Sequence, residues 1–238
     1  MSLNSLSIII PAYNEEVSIG NTIKDVVNSV AQFCNNYEVI VADDGSSDGT
    51  AAIVKKFADM YPVRFLANSC NTGKGGAVRR GVAAASKDYV LFMDADNSAR
   101  LLEVARFLPF ISDHDIVVGS RQLSGDNIDR AEYKHRQLIG QCFNRLVRFI
   151  LGLKFYDTQC GFKLMSLSAA RRVFGLIKET GFAFDVELLY IANRLGLKIK
   201  EVGISWFRSD TKSKVKLLKH SIAMFWALLA IRYRWYKL

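Results

Sequence analysis

Two aspartates, Asp94 and Asp96, directly follow the apolar run Val90–Met93. A short apolar run that ends in a polar turn predicts a buried strand. Because residues two apart on an extended chain point the same way, both carboxylates would leave the strand end on one side. Paired carboxylates suit Mg2+ or Mn2+ and leave coordination positions for phosphate oxygens and water. The pattern predicts either a divalent-cation site or an aspartate-rich turn that caps the next helix.

Three earlier polar clusters also follow predicted strands. The strands cover residues 6–10, 37–42 and 63–67, and the clusters after them are Pro11–Glu16, Asp43–Thr50 and the glycine-rich Asn71–Gly81. Strands that alternate with helices predict a largely parallel sheet, and such sheets bind ligands outside the carboxyl ends of their strands. We therefore predict an α/β chain with a Rossmann-like, mostly parallel sheet flanked by helices, and four polar clusters at one edge.

The rest of the chain predicts further helices and strands. Helices are expected over residues 101–111, 137–153 and 168–177, a strand over 115–119 and a last strand over 199–206. Asp157–Lys163 is expected to form a loop between two of these helices. The four cysteines show no spacing typical of a zinc site or of a disulfide framework.

The positive charge of the chain is concentrated at its C-terminal end. From Arg194 onward eleven Lys or Arg residues stand against Glu201 and Asp210, which accounts for the whole net charge of +9. A neutral body with a basic tail predicts contact with an anionic partner, either a lipid surface or nucleic acid.

The tail contains an uncharged run of eleven residues, Ser221–Ile231. This run is shorter than the roughly 18 to 20 residues that span a bilayer. Its lysine, arginine, tyrosine and tryptophan flanks are typical of an amphipathic helix in the membrane interface, and they favour lipid over nucleic acid. The alternative is a helix docked on the core. We divide the chain into a catalytic domain, 1–214, and a membrane-associating segment, 215–238; without a signal peptide, we expect peripheral attachment on the cytoplasmic face.

The motifs in their order resemble the family 2 glycosyltransferases, and among these the polyprenyl-phosphate sugar synthases of the dolichyl-phosphate glucosyl and mannosyl branches. The resemblance rests on Pro11–Glu15, Asp43–Ser46, Asn71–Gly81, Asp94–Asp96, Gly119–Arg121 and Asp157–Lys163. It implies a GT-A fold and an inverting transfer of a hexose to a polyprenyl or dolichyl phosphate. UDP-glucose is the favoured donor, and GDP-mannose is the alternative. Nothing in the sequence predicts the oligomeric state.

The resemblance also implies roles for single residues. The nucleotide would be held by Pro11, Tyr13, Glu15 and Asp44, although Glu15 and Asp44 are also suited to capping the helices that follow them. Lys74 would lie beside the diphosphate, Asp94 and Asp96 would hold the metal, and Asp157 would face the sugar or orient the acceptor. Asp185 and Glu187 either contact the sugar or simply begin a helix. Ser98 stands where mannose synthases have a third metal ligand.

The acceptor places a different demand on the chain. A phosphate monoester with a second pKa near 6 is already ionised at neutral pH, so no strong base is required. It does require cations, and guanidinium matches phosphate bidentately. Arg121 and Arg136 are the candidates, unless they pair with Asp126 or Asp129. A sugar nucleotidyltransferase is a remoter alternative, because its glycine-rich signature would follow the first strand, where this chain has Pro11–Glu15.

Overall fold

The computed structural model describes residues 2–123, 134–207 and 217–236, without the side chains of residues 134–142 and 217–222. Its strands are β1 (Leu6–Ala12), β2 (Tyr37–Asp43), β3 (Val63–Leu66), β4 (Tyr89–Met93), β5 (Ile116–Ser120), β6 (Phe162–Ser166) and β7 (Ile199–Gly203). Its α-helices are α1 (Ile19–Ser29), α2 (Thr50–Ala58), α3 (Lys74–Ala84), α4 (Lys134–Leu151), α5 (Leu167–Phe174), α6 (Phe184–Arg194) and α7 (Leu217–Tyr233).

The seven strands form one sheet in the order β3-β2-β1-β4-β6-β5-β7. Strands β1 to β4 pair in parallel, and β5 pairs in parallel with β7, whereas β6 runs antiparallel to both β4 and β5. Six strands therefore end at the same edge, among them the four for which the sequence predicts it, and β6 begins there.

Alternate side chains of each strand face opposite sides of the sheet, and each side carries its own apolar cluster. On β1, Ile9 belongs to the cluster covered by α3, α5, α6 and α7, while Ile8 and Ile10 belong to the cluster covered by α1 and α2. All three are fully buried. Because helices cover both faces of the sheet, the sequences of the strands are nearly continuous apolar runs.

Two of the elements predicted after β4 are wrong. Phe162–Ser166 forms β6, where we expected a loop up to Lys163. Its buried lysine interrupts the apolar pattern that identifies a central strand. The helix predicted over residues 101–111 is instead two 3-10 segments, Leu101–Arg106 and Leu108–Phe110. Pro109 has no N–H and disfavours the α conformation of the residue before it, so a continuous α-helix is interrupted there.

The C-terminal helix α7 packs on the core. Leu228 and Ile231 are fully buried in the same cluster as α3, α5 and α6. On its outer side Trp226 is 65% exposed and Tyr233 is 84% exposed. Apolar residues of the described part of α7 thus face both core and solvent, so the amphipathic pattern that we expected is not observed. Among the residues described, no helix is long and apolar enough to cross a membrane.

Candidate active site

The carboxyl ends of β1, β2, β4 and β5 bring most of the predicted site residues to one edge of the sheet. Asp94 follows β4, Arg121 follows β5, and the loop before β6 carries Asp157. Met93 of β4 pairs with Phe162 of β6, so this loop enters directly beside Asp94. The topology therefore places the predicted metal ligands between the predicted nucleotide residues and the predicted acceptor residues.

The side chain of Lys74, the first residue of α3, reaches Asp94. Its Nζ lies 2.6 Å from Asp94 Oδ1. The side chain of Lys74 is 19% exposed and that of Asp94 is 25% exposed. Burial alone would lower the pKa of Lys74, but the charges of Asp94 and then Asp185 raise it above its ordinary value. The ammonium therefore stays charged, beside the predicted diphosphate position.

Asp96 is held by the residues that follow it. Its Oδ1 accepts a hydrogen bond from the backbone N–H of Ser98 at 3.0 Å, and the Ser98 side chain also hydrogen-bonds the carboxylate. Burial, and after it the charge of Asp94, raises the pKa of Asp96. Ser98 thus supports a carboxylate. Asp94 and Asp96 are thus two neighbouring, partly buried carboxylates. A bound cation would offset the repulsion between their charges.

The residues present fit a hard divalent ion. Asp94 and Asp96 supply carboxylate oxygens, which Mg2+ and Mn2+ prefer. The side-chain oxygen Oδ1 of Asn97 is also buried, without a hydrogen-bond partner among the described residues. No group of three or more acidic, His or Cys side chains able to hold a metal occurs in the part of the chain described. Two protein carboxylates would therefore leave the other positions to phosphate oxygens and water.

Gly161, in the loop before β6, leaves the space that Asp94 occupies. A Cβ at Gly161 would lie 2.5 Å from Asp94 Cγ and 2.6 Å from its Oδ1. A glycine is therefore required at position 161, next to Asp94, for a steric reason.

The backbone N–H groups of the glycine-rich loop are bound within the protein. Asp44, 3% exposed, accepts hydrogen bonds from the N–H groups of Thr72 at 3.0 Å and Gly73 at 2.7 Å. The carbonyl of Thr180 accepts those of Gly75 and Gly76. These four amides are bonded within the protein and are not aimed at a ligand, whereas the ammonium of Lys74 lies beside Asp94.

Of the two candidate cap residues, Glu15 bonds to the start of α1, because its backbone carbonyl accepts the N–H groups of Ser18 and Ile19 at 3.1 and 2.9 Å. Asp44 precedes α2, yet its carboxylate binds the loop before α3. Glu15 accepts a hydrogen bond from the Ser18 hydroxyl at 2.7 Å, and its N–H donates to Thr50 Oγ1 at 2.8 Å. The loops after β1 and β2 are thus bound to each other, which gives the predicted nucleotide region a fixed shape.

Pro11 and Tyr13 flank the end of β1. Pro11 is buried within the strand, whereas Tyr13 is 42% exposed and accessible to a ligand. Nearby, sequence reasoning missed Asp43, the last residue of β2. Its Oδ2 accepts the N–H groups of Gly45 and Ser46, and its buried Oδ1 has no partner among the described residues. Adjacent aspartates leave a strand on opposite sides, and the sequence alone does not tell which one faces the ligand.

Arg121 and Asp157 form a bidentate pair on the other side of Asp94. Arg121 Nε and Nη2 donate to the two carboxylate oxygens at 2.7 and 2.8 Å, and the Arg121 N–H donates at 3.0 Å. Burial would raise the pKa of Asp157, but the charge and hydrogen bonds of Arg121 lower it below its ordinary value. Arg121 is 37% exposed and Asp157 1% exposed, so the carboxylate fixes a guanidinium that still reaches solvent.

The surroundings of this pair hold it in place. The guanidinium lies 5.1 Å from the centre of the Trp206 ring, and Glu201 accepts the N–H groups of Tyr156 and Asp157. Burial raises the pKa of the Cys160 thiol to about 12, so this cysteine is no nucleophile. Arg136 falls within α4, and its side chain, like Asp126 and Asp129, lies outside the described part of the structure.

Asp185 and Glu187 are bound inside the protein. Asp185 pairs with Lys163 at 2.5 Å, and both side chains are nearly fully buried. Glu187 is fully buried and accepts hydrogen bonds from the N–H groups of Lys178 and Glu179 at 2.9 and 2.7 Å. Both lie in the first turn of α6, as one of the two alternatives predicts, and both also bind partners inside the protein.

The model of the family described as glycosyl transferase family 2 matches residues 7–174, which include the Lys74, Asp94 and Arg121 positions. The chain belongs to this family. A dolichyl-phosphate beta-glucosyltransferase from Dictyostelium discoideum is 34% identical, over 97% of this chain and 74% of the relative. One from Mus musculus is 36% identical, over 84% and 67%.

Solved structures agree with the fold. Glucosyl-3-phosphoglycerate synthase from Mycobacterium tuberculosis, in complex with Mn2+, uridine diphosphate and glucosyl-3-phosphoglycerate, has a TM-score of 0.72 to this chain at 23% identity. The match covers 96% of this chain and 80% of that one. This likeness confirms the predicted GT-A fold.

Proposed function

We propose that this glycosyltransferase moves glucose from UDP-glucose to a polyprenyl or dolichyl phosphate with inversion at the sugar. The observation that carries the proposal is the similarity, over 97% of the chain, to a dolichyl-phosphate beta-glucosyltransferase. The geometry supports it, because the Lys74–Asp94 pair and the Arg121–Asp157 pair flank the start of β6 from two sides. One pair suits an anionic leaving group and the other an anionic acceptor.

On the donor side, the leaving diphosphate gains negative charge as the bond to the sugar breaks. Asp94 and Asp96 would hold Mg2+ or Mn2+, which supplies Lewis-acid stabilisation of that charge. Lys74 adds a fixed ammonium at the same place, and its low exposure strengthens the interaction. Pro11, Tyr13, Glu15 and Asp44 would form the nucleotide end of the site, with the buried Oδ1 of Asp43 as a further acceptor.

On the acceptor side, a phosphate dianion is itself the nucleophile, so the protein must position it and offset its charge. Arg121 carries the charge, and Asp157 fixes the guanidinium. Arg136 would be a second cation. Asp157 therefore orients the acceptor through Arg121 in this proposal.

The lipid acceptor requires contact with a membrane. The outer side of α7 exposes Trp226 and Tyr233, and Trp235 after the helix is 85% exposed. Aromatic residues of this kind are enriched at membrane interfaces, and basic flanks are attracted to anionic lipid. We propose peripheral attachment through the segment 215–238, on the cytoplasmic face, with residues 1–214 as the catalytic domain.

A transfer assay tests the proposal. The purified chain is incubated with polyprenyl phosphate in detergent, Mg2+ or Mn2+, and radiolabelled UDP-glucose or GDP-mannose. We expect label in the lipid fraction from UDP-glucose, loss of transfer in excess chelator, and loss in Lys74→Met but not in the matched surface variant Lys56→Met. Transfer from GDP-mannose alone would show that the donor assignment is wrong, and activity in excess chelator would refute the metal.

A further inference from the structure

The C-terminal segment contacts a loop that lies behind the active site. Arg234 Nη1 and the Tyr236 hydroxyl both donate to Glu187 Oε1 at 2.7 Å. Arg234 Nη2 also donates to Glu179 Oε1 at 2.8 Å. Arg234 therefore joins α6 to the loop that precedes it.

Glu187 requires these donors because it is a fully buried carboxylate. Its other oxygen, Oε2, accepts the N–H groups of Lys178 and Glu179. A buried charge that loses a donor is costly, so a change at Arg234 is expected to shift the loop that Glu187 holds. The position of residues 178–180 thus depends on the C-terminal segment.

The same loop fixes the start of α3. The carbonyl of Thr180 accepts the N–H groups of Gly75 at 2.7 Å and Gly76 at 3.2 Å. The contact is tight, because a Cβ on Gly75 would lie 2.9 Å from the Glu179 carbonyl oxygen and 2.6 Å from Phe184 Cβ. A displacement of the loop would therefore move the first turn of α3, which carries Lys74.

We propose that Arg234 is a positioning residue for Lys74, acting through Glu179, Glu187 and the Thr180 carbonyl. It does not touch substrate. Through these contacts the lipid-facing end of the chain sets where the Lys74 ammonium meets the diphosphate of the donor. The proposal rests on the proposed function, since it assigns Lys74 to the leaving group.

A double-mutant cycle between Arg234→Gln and Lys74→Gln tests the coupling. We expect Arg234→Gln to lower kcat/KM for UDP-glucose about tenfold, the size expected for one charge-assisted hydrogen bond, and to weaken UDP-glucose binding measured by calorimetry. In the Lys74→Gln background, where transfer is low, the same change should weaken UDP-glucose binding less than about twofold, because its effect passes through Lys74. Equal losses in both backgrounds would overturn the proposal.

Two further variants separate positioning from folding. Glu179→Gln weakens the Arg234 contact at a side chain that is 20% exposed, without removing a donor from Glu187, and it should reproduce part of the loss at an unchanged melting temperature. Arg234→Lys should restore part of the activity. Arg172→Gln, an exposed change of the same kind on α5, is the matched control and should leave kcat/KM unchanged.

The outcomes also distinguish this proposal from the proposed function. Wild-type protein that neither binds UDP-glucose nor transfers glucose would refute the proposed function. Active wild-type protein whose Arg234→Gln and Glu179→Gln variants keep full kcat/KM and full UDP-glucose affinity would refute the positioning role alone.

Discussion

Replacing Gly161 by alanine is expected to disable the enzyme by displacing Asp94. The new Cβ would lie 2.5 Å from Asp94 Cγ, whereas carbon atoms at optimal separation are about 3.5 to 4.0 Å apart. The carboxylate must therefore withdraw by about 1 Å, which also breaks the 2.6 Å contact with Lys74. A misplacement of about 1 Å in a catalytic site can lower the rate on the order of a hundredfold, or about 2.7 kcal/mol.

The measurement is kcat/KM for UDP-glucose, together with thermal unfolding. Asp94 is 25% exposed and can turn toward the cleft, so we expect the stability loss to stay at the low end of the about 1 to 3 kcal/mol typical of overpacking. Gly181→Ala is the matched control, because nothing lies within 4 Å of its Cβ position. If Gly161→Ala keeps more than a third of wild-type kcat/KM, the steric argument about Asp94 is refuted.

Three further predictions follow from the site and from the C-terminal helix. Asp96→Ala should abolish transfer more completely than Asp94→Ala, because Asp96 is expected to ligate the metal directly; turnover retained by Asp96→Ala would contradict this. Asp157→Asn should be less stable than wild type at neutral pH in urea unfolding. The lowered pKa of Asp157 contributes its full stability above the unfolded value near 3.8, and this contribution is lost as the pH falls from there through the lower folded value. The stability difference should therefore narrow as the pH falls below about 4, and a constant difference would contradict the ion pair. Trp226→Ser should weaken binding to anionic vesicles at unchanged melting temperature, whereas Leu228→Ala, on the buried side, should cost about 2 to 5 kcal/mol of stability; the reverse pattern would exclude a lipid-facing outer side.

The first half of the fold was predictable because its information is local. Apolar runs such as Ile8–Ile10 and Val39–Ala42 each end in a polar turn, and an α-helix follows before the next strand. Right-handed parallel crossovers then leave few topologies. The edge that carries Asp94 and Asp96 follows from those rules alone.

The antiparallel strand β6 was not predictable in the same way. Its central Lys163 is fully buried and neutralised by Asp185, which lies 22 residues further along the chain. A pattern rule treats a lysine as a surface residue, because the partner that permits its burial comes from another element. Sequence spacing also gives no indication that Arg121 and Asp157, 36 residues apart, form a pair.

The C-terminal helix shows what amino-acid composition alone does not predict. Eleven uncharged residues between cationic flanks predict contact with lipid, but they do not distinguish which side of the helix the core covers. The packing of Leu228 and Ile231 and the ion pairs of Arg234 depend on the tertiary fold. Docking on the core and an exposed aromatic side occur together, so the two alternatives drawn from the sequence do not exclude each other.

The antiparallel placement of β6 has a mechanical consequence. Backbone hydrogen bonds join β6 to β4 on one side and to β5 on the other, so the strands that end just before Asp94 and just before Arg121 belong to one continuous ladder. A hinge between donor and acceptor halves would have to break that ladder, unlike the hinges of enzymes that close two lobes on a substrate. The distance between the two charged pairs is thus set by the sheet, because β4 and β5 cannot separate without breaking their hydrogen bonds to β6.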